Sequence, residues 1–177
     1  ETFILSSGSK FFKNEINCNL KGKYSSAFVN GIFSINNDKH HEIRSIINHL
    51  TENTKSYQLI KSVLEDGSKA VYQGKIFVNS DAQKTNGYQL SKAILLNKNS
   101  EFNAKPELEI YADDVKCSHG SASGSLNEDS IFYLMSRGLN YNQSRELLIN
   151  GFLLDVVEKI TDPEIKNLIK NMIGIKE

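Results

Sequence analysis

Phe28–Ile35 reads FVNGIFSI, Asn36-Asn37-Asp38 interrupts it, and Ile43–His49 resumes as IRSIINH. This stretch decides the fold. Runs of about eight residues rich in β-branched and aromatic side chains, broken by Asn, Asp and Gly, are strand and turn signals. The pattern continues on both sides. Ile16, Cys18 and Leu20 alternate with Asn17 and Asn19. Downstream come Ala70–Val78, Leu90–Leu96, Leu108–Ala112 and Val115–His119, separated by clusters such as Glu65-Asp66-Gly67-Ser68 and Asn97-Lys98-Asn99-Ser100. Many short strands without a long helical period mean a sandwich, a barrel or a solenoid. The spacing reads as irregular, with no strict repeat motif. Polar Asn and Ser inside the strands suit stacked coils, where backbone groups pair with the coils above and below.

After Gly124 the period changes. Ser125-Leu126-Asn127-Glu128 has the form of a capping box, followed by Ile131, Phe132, Leu134 and Met135 at helical spacing and a stop at Gly138. A second helix is expected from Tyr141 to Ile160, with an apolar face of Leu147, Leu148, Phe152, Leu153, Val156, Val157 and Ile160. Thr161-Asp162-Pro163-Glu164 reads as another capping box, opening a third helix with Ile165, Leu168, Ile169, Met172 and Ile173 as its stripe. The division is therefore 1–125 as a β region and 126–177 as a helical subdomain. The tail is rich in apolar residues for its length, so either part of its surface meets a partner or the three helices bury one another and dock on the β region.

The chain has 177 residues, with 21 basic and 21 acidic side chains. The balance holds in both parts, which argues against a nucleic-acid or anionic-membrane partner. No apolar run approaches the ~18 residues of a membrane span, and Glu1-Thr2-Phe3-Ile4-Leu5 lacks the shape of a signal peptide. The start at Glu1 reads as a start inside a fold, hence a fragment. The two cysteines, Cys18 and Cys117, favour a reducing compartment over a disulfide framework.

Cys117 and His119 carry the strongest chemical signal. On a strand, residues i and i+2 share a face ~6.5 Å apart along it. That is too far for a nucleophilic Cys–His pair. It suits two ligands of iron, an iron–sulfur cluster or zinc completed from another chain; the bland alternative is a buried Cys beside a hydrogen-bonded His. Cys18 reads as a core thiol, His40-His41 as a solvated pair in a polar turn, and His49 as a strand-end residue without a spaced partner. Asp113-Asp114 would face opposite sides of a strand. No phosphate-binding Gly-rich loop or hydrolase elbow is present, so no nucleotide is expected on this chain.

Pro106–Gly120, PELEIYADDVKCSHG, is similar to the most characteristic stretch of the SufB/SufD family, and its KCSHG ending resembles the SufD branch. Leu126–Gly138, ending in FYLMSRG, Tyr72–Val78 (YQGKIFV), Ala82–Leu90 (AQKTNGYQL) and Thr54–Gln58 resemble neighbouring segments of that family. The resemblance implies a right-handed parallel β-helix with a C-terminal helical subdomain. It implies a scaffold, not an enzyme, that pairs with SufB and docks the ATPase SufC, whose ATP hydrolysis would move the tails. The complex builds iron–sulfur clusters for apo-proteins in the cytoplasm or plastid stroma. Cys117 and His119 would then bind iron or a transient cluster shared with SufB, while Phe132, Tyr133, Arg137, Leu148 and Phe152 would meet SufC. The chain departs from the family in lacking its large N-terminal region, and in Ser121-Ala122-Ser123, where an Ala-Thr pair is commoner. The rival readings are a β-helix enzyme acting on polysaccharide and a metal-free oligomerisation module. Arg44 is the one arginine of the β region, which makes the charged ladder of the former hard to build.

Overall fold

The computed structural model describes residues 1–175; the last two residues of the expected 126–177 subdomain lie outside the described part. Nine strands come first: β1 (Thr2–Ser6), β2 (Phe11–Leu20), β3 (Ser26–Ile35), β4 (His40–His49), β5 (Lys55–Leu64), β6 (Lys69–Val78), β7 (Thr85–Leu95), β8 (Glu101–Ile110) and β9 (Val115–Gly124). Three helices follow: α1 (Glu128–Ser136), α2 (Tyr141–Val157) and α3 (Pro163–Met172). Odd strands form sheet A in the order β1-β3-β5-β7-β9 and even strands form sheet B in the order β2-β4-β6-β8. Every pairing is parallel. The chain thus winds between two facing sheets as a parallel β-helix of about four turns.

A repeat exists, contrary to the reading of irregular spacing. Phe11 lies beside His40 and His40 beside Lys69, a step of 29 residues each time. The later coils lengthen to steps of 31 from Lys55 to Asn86 and 32 from Lys69 to Glu101. Lengthening at the corners conceals the period. β5, absent from the expected strands, is the central rung of sheet A. Its inward residues include Ser56, Gln58 and Ser62, and its outward Leu59 and Val63 are also buried, so it shows no alternation of polarity.

The corners use residues that tolerate left-handed backbone. Asn37, Asp38 and Asp66 have φ of 54°, 54° and 51°, and Gly67 has 74°. Corners stack as strands do. The Asp38 N–H donates to the Asp66 carbonyl at 2.8 Å, and the Asp66 N–H donates to Asn97 Oδ1 at 2.9 Å.

The interior is part apolar, part polar. Phe33, Ile43, Ile60 and Leu64 fill it at one level. At the next level Ser45 Oγ donates to Gln58 Oε1 at 2.5 Å and Tyr72 OH to the same oxygen at 3.2 Å. Burial pushes the Tyr72 phenol up to about 12. Gly74 makes room for this group: a Cβ there would lie 2.2 Å from Gln89 Oε1 and 2.4 Å from the Tyr72 hydroxyl.

Two histidine readings are corrected. His41 belongs to β4, not to a turn, and is fully buried; its Nδ1 meets Ser6 Oγ and its Nε2 the Ser9 carbonyl, both at 2.7 Å. His49 is also buried and has partners, Thr54 Oγ1 at 2.8 Å and Ser56 Oγ at 2.9 Å. Thr54 uses its own proton on the Thr51 carbonyl, so it accepts from His49 Nδ1–H, and Ser56 donates to Nε2. Burial holds His49 near a pKa of about 4, neutral at pH 7.

The helices start slightly later than their sequence signals. Asn127, not Ser125, caps α1, and Asp162, not Thr161, caps α3. In both cases a side-chain carbonyl or carboxylate one or two residues on accepts the free N–H groups. α2 ends at Val157, three residues before the expected Ile160. Leu153, Val156 and Val157 pack with Ile160 and Ile169 on the outward Ile32, Leu59 and Val63 of sheet A. Each such side chain contributes roughly 1.5–3 kcal/mol by leaving water. The α3 stripe is mostly uncovered: Ile169 is buried, while Ile165, Leu168 and Met172 are exposed.

Candidate functional site at the last coil

β9 is the final strand of sheet A and β8 the final strand of sheet B, so each has one edge without a strand partner among the described residues. Pro106 in β8 fits such an edge, where a missing N–H breaks no ladder. β9 runs from Val115 and places Asp113-Asp114 in the corner before it, not on a strand.

Register fixes the orientation of the two candidate ligands. Cys117 lies beside Gly87, and His119 beside Gln89. Gly87 and Gln89 are fully buried inward positions of β7, so Cys117 and His119 both face the solenoid axis. Cys117 is half-buried against a cluster of Ile76, Val78, Ala82 and Ala112. Burial pushes its thiol up, against a lowering backbone hydrogen bond from Gly87. His119 faces the same way but is exposed, because no coil covers it. Its column neighbour Gln89 is 2% exposed and donates through Nε2 to the Glu107 carbonyl at 3.1 Å.

A thiol and an imidazole thus stand at the open end of a stack. They are soft and borderline donors suited to iron or iron–sulfur species. Among the described residues no cluster of three or more His, Cys, Asp or Glu side chains is arranged to hold a metal ion. Further ligands would have to come from outside this pair. Cys18 sits half-buried beside Leu20, Ala27, Val29 and Ile47 at the other end of the helix and is not part of this site.

The five expected tail contacts differ in exposure. Phe132 is 74% exposed and Tyr133 56%, and the Arg137 guanidinium lies 5.3 Å over the Tyr133 ring. Leu148 and Phe152 are half-buried on α2, and Phe152 lies under the Lys61 ammonium at 4.5 Å. Met135, Tyr141 and Leu147 are exposed as well. Sequence reasoning missed Lys61; a lone lysine between outward Leu59 and Val63 was the available signal.

Residues 1–152 match the family described as SUF system FeS cluster assembly, SufBD core domain. The chain belongs to that family. It is similar to the iron–sulfur cluster assembly protein SufD of Escherichia coli, at 33% identity over 98% of this chain and 40% of the relative. It is also similar to the chloroplastic protein ABCI7 of Arabidopsis thaliana, at 43% identity over 66% of this chain and 25% of the relative. A SufBD family protein of Synechocystis matches at 38% identity over 67% of this chain and 26% of the relative. The chain therefore spans two fifths or less of the length of these relatives. The family description and the names of the Escherichia coli and Synechocystis relatives refer to iron–sulfur cluster assembly. No helix among the described residues is long and apolar enough to cross a membrane.

Proposed function

We propose that this chain is the C-terminal part of a SufD-type scaffold subunit, which pairs with SufB through its last coil and presents Cys117 and His119 to an iron or iron–sulfur cargo shared with that partner. One observation carries the reading: a thiol and an imidazole face inward on β9, the last strand of its sheet, with an edge that is unpaired among the described residues. An unpaired ten-residue strand is a ready template for another chain's strand. Covering it would bury both donors and protect a labile cargo. A half-buried thiol with a raised pKa is a poor ligand, and opening the interface beside iron favours the thiolate.

The ATPase SufC would dock on the tail, with exposed Phe132, Tyr133 and Arg137 on and beside α1 as the contact. Hydrolysis would occur in SufC, with no nucleotide on this chain. The similarity to bacterial and chloroplast proteins supports a site of action in the cytoplasm or the plastid stroma. The test is anaerobic reconstitution with SufB and SufC, followed by iron and sulfide analysis. His119→Ala should cut cluster yield at least ~10-fold with pairing intact, the loss expected for a ligand or its close support; Cys117→Ser should be milder. Wild-type yield from His119→Ala would remove the site assignment. Loss of pairing instead would make His119 an interface residue.

A further inference from the structure

We propose that α2 is a fixed strut bolted to the centre of sheet A, and that α1 is the part of the tail that moves, swinging at residues 137–140. Lys61 stands on the outward side of β5 amid apolar side chains and is 6% exposed. A buried ammonium is tolerated only when partnered, and this one is fully engaged. Its Nζ donates to the Phe152 carbonyl at 2.7 Å and to Asp155 Oδ2 at 2.8 Å, and lies over the Phe152 ring. The ammonium holds the Asp155 carboxyl below the usual range.

A second clamp sits at the other end of the helix, where Arg145 pairs with Glu65 just beyond β5. Ten residues of α-helix separate Arg145 from Asp155, about 15 Å of rise. Lys61 meets Asp155 while Glu65 meets Arg145, so α2 runs antiparallel to β5 and is held at two points. The apolar face of α2 is sealed on Leu59 and Val63.

α1 has none of this. It buries Ile131 alone and exposes Phe132, Tyr133 and Met135. The link to α2 passes through Gly138 at φ 98°. α2 then begins with its own reciprocal cap, the Asn140 and Gln143 side chains each accepting from the other's backbone N–H at 2.9 Å. The start of α2 is therefore satisfied without α1. Few buried apolar contacts and an exposed surface place a segment at the low-stability end of a fold.

This goes beyond the docking reading and rests on it only for what would drive the motion. Load placed on α1 would enter β5 through the strut and reach β9 by way of β7, two rungs away. The tail would not peel from the sheet.

Amide hydrogen exchange on this chain alone tests the idea, so it can fail while SufC docking stands. In the native protein, α2 amides should exchange within ~10-fold of those of β5, and α1 amides ~100-fold or more faster. Asp155→Lys, which sets two ammonium groups together, should raise α2 exchange ~10-fold or more with β5 unchanged. Asp155→Asn, the gentler variant, should shift α2 the same way by a smaller factor. A common rate for α1 and α2, or α2 exchange unmoved in both variants, overturns the proposal.

Discussion

β6 and β8 are neighbours in sheet B with the same alternation of inward and outward residues, yet one is sealed and the other is not. Every inward residue of β6, from Ala70 to Val78, is buried, whereas the inward Phe102, Ala104, Pro106 and Leu108 of β8 are half-buried. Sheet A repeats the contrast at the site, where Gln89 is buried and its column neighbour His119 is exposed. Strand alternation decides where a side chain points; position in the stack decides whether it is covered. Chemistry that needs an accessible inward residue is therefore available only where the stack ends.

The largest test of this contrast compares two residues in one column. Ile76 and Leu108 are register partners, the first fully buried and the second half-buried. Ile76→Ala should destabilise by ~3 kcal/mol or more, the range for a large-to-small change in a sealed core. Leu108→Ala should cost about 1 kcal/mol, since solvent and neighbours fill the gap. Urea unfolding of both variants checks this. Equal losses would mean that the last coil is as well packed as the one beneath it.

The next test uses pH on the sealed coils. His49 is neutral when folded, with its pKa lowered from 6.5 to about 4 by burial. Above pH 6.5 neither state takes up the proton and stability is unaffected. Between pH 6.5 and about 4 the unfolded chain binds a proton that the folded chain refuses, so stability falls as pH falls. Below about 4 both bind it and the loss levels off. The sum is about 3 kcal/mol, and His41, lowered by the same cause, adds in the same direction. His49→Gln should flatten the slope in that window. An unchanged slope would place the sensitivity elsewhere.

These elements also mark what the sequence disclosed. Alternation alone placed Cys117 and His119 on one face, and the capping signals placed the starts of α1 and α3 to within about two residues. The coil step was hidden because corners vary in length, and β5 was missed because α2 covers its outer face while Gln58 and two serines line its inner one. His41 read as solvated for a related reason. Local sequence shows two adjacent histidines at a polar turn, but the Ser6 and Ser9 that accommodate His41 come from the preceding coil, more than 30 residues earlier. Contacts between coils carry no local signature.

At the corners the effect is smaller and backbone-driven. Gly67 has φ 74°, and a Cβ there would lie 2.2 Å from Asp38 Oδ1. Gly67→Ala should cost ~1–2 kcal/mol through left-handed strain and displacement of the stacked Asp38. Gly124, with nothing within 4 Å of its hypothetical Cβ, should accept Ala within ~0.5 kcal/mol. A difference of less than ~0.5 kcal/mol between them would show that stacked corners relax freely.

The smallest expected effect is the most informative about the site. His119 points inward in the same column as Gln89, but no coil covers it. Gln89→Ala removes a buried amide that reaches the Glu107 carbonyl and should cost ~1–3 kcal/mol. His119→Ala should change the stability of the isolated chain by no more than ~0.5 kcal/mol, because it removes an exposed side chain with no hydrogen bond among the described residues to anchor it. The two substitutions lie one coil apart, so the same thermal or urea measurement reads both. If His119→Ala costs as much as Gln89→Ala, the imidazole is already packed and the end of the stack is closed. If it costs nothing in the isolated chain yet weakens the complex with a second subunit, covering of the imidazole occurs on assembly. Stability of the isolated chain and of the pair then separate a structural histidine from one left free for a shared cargo.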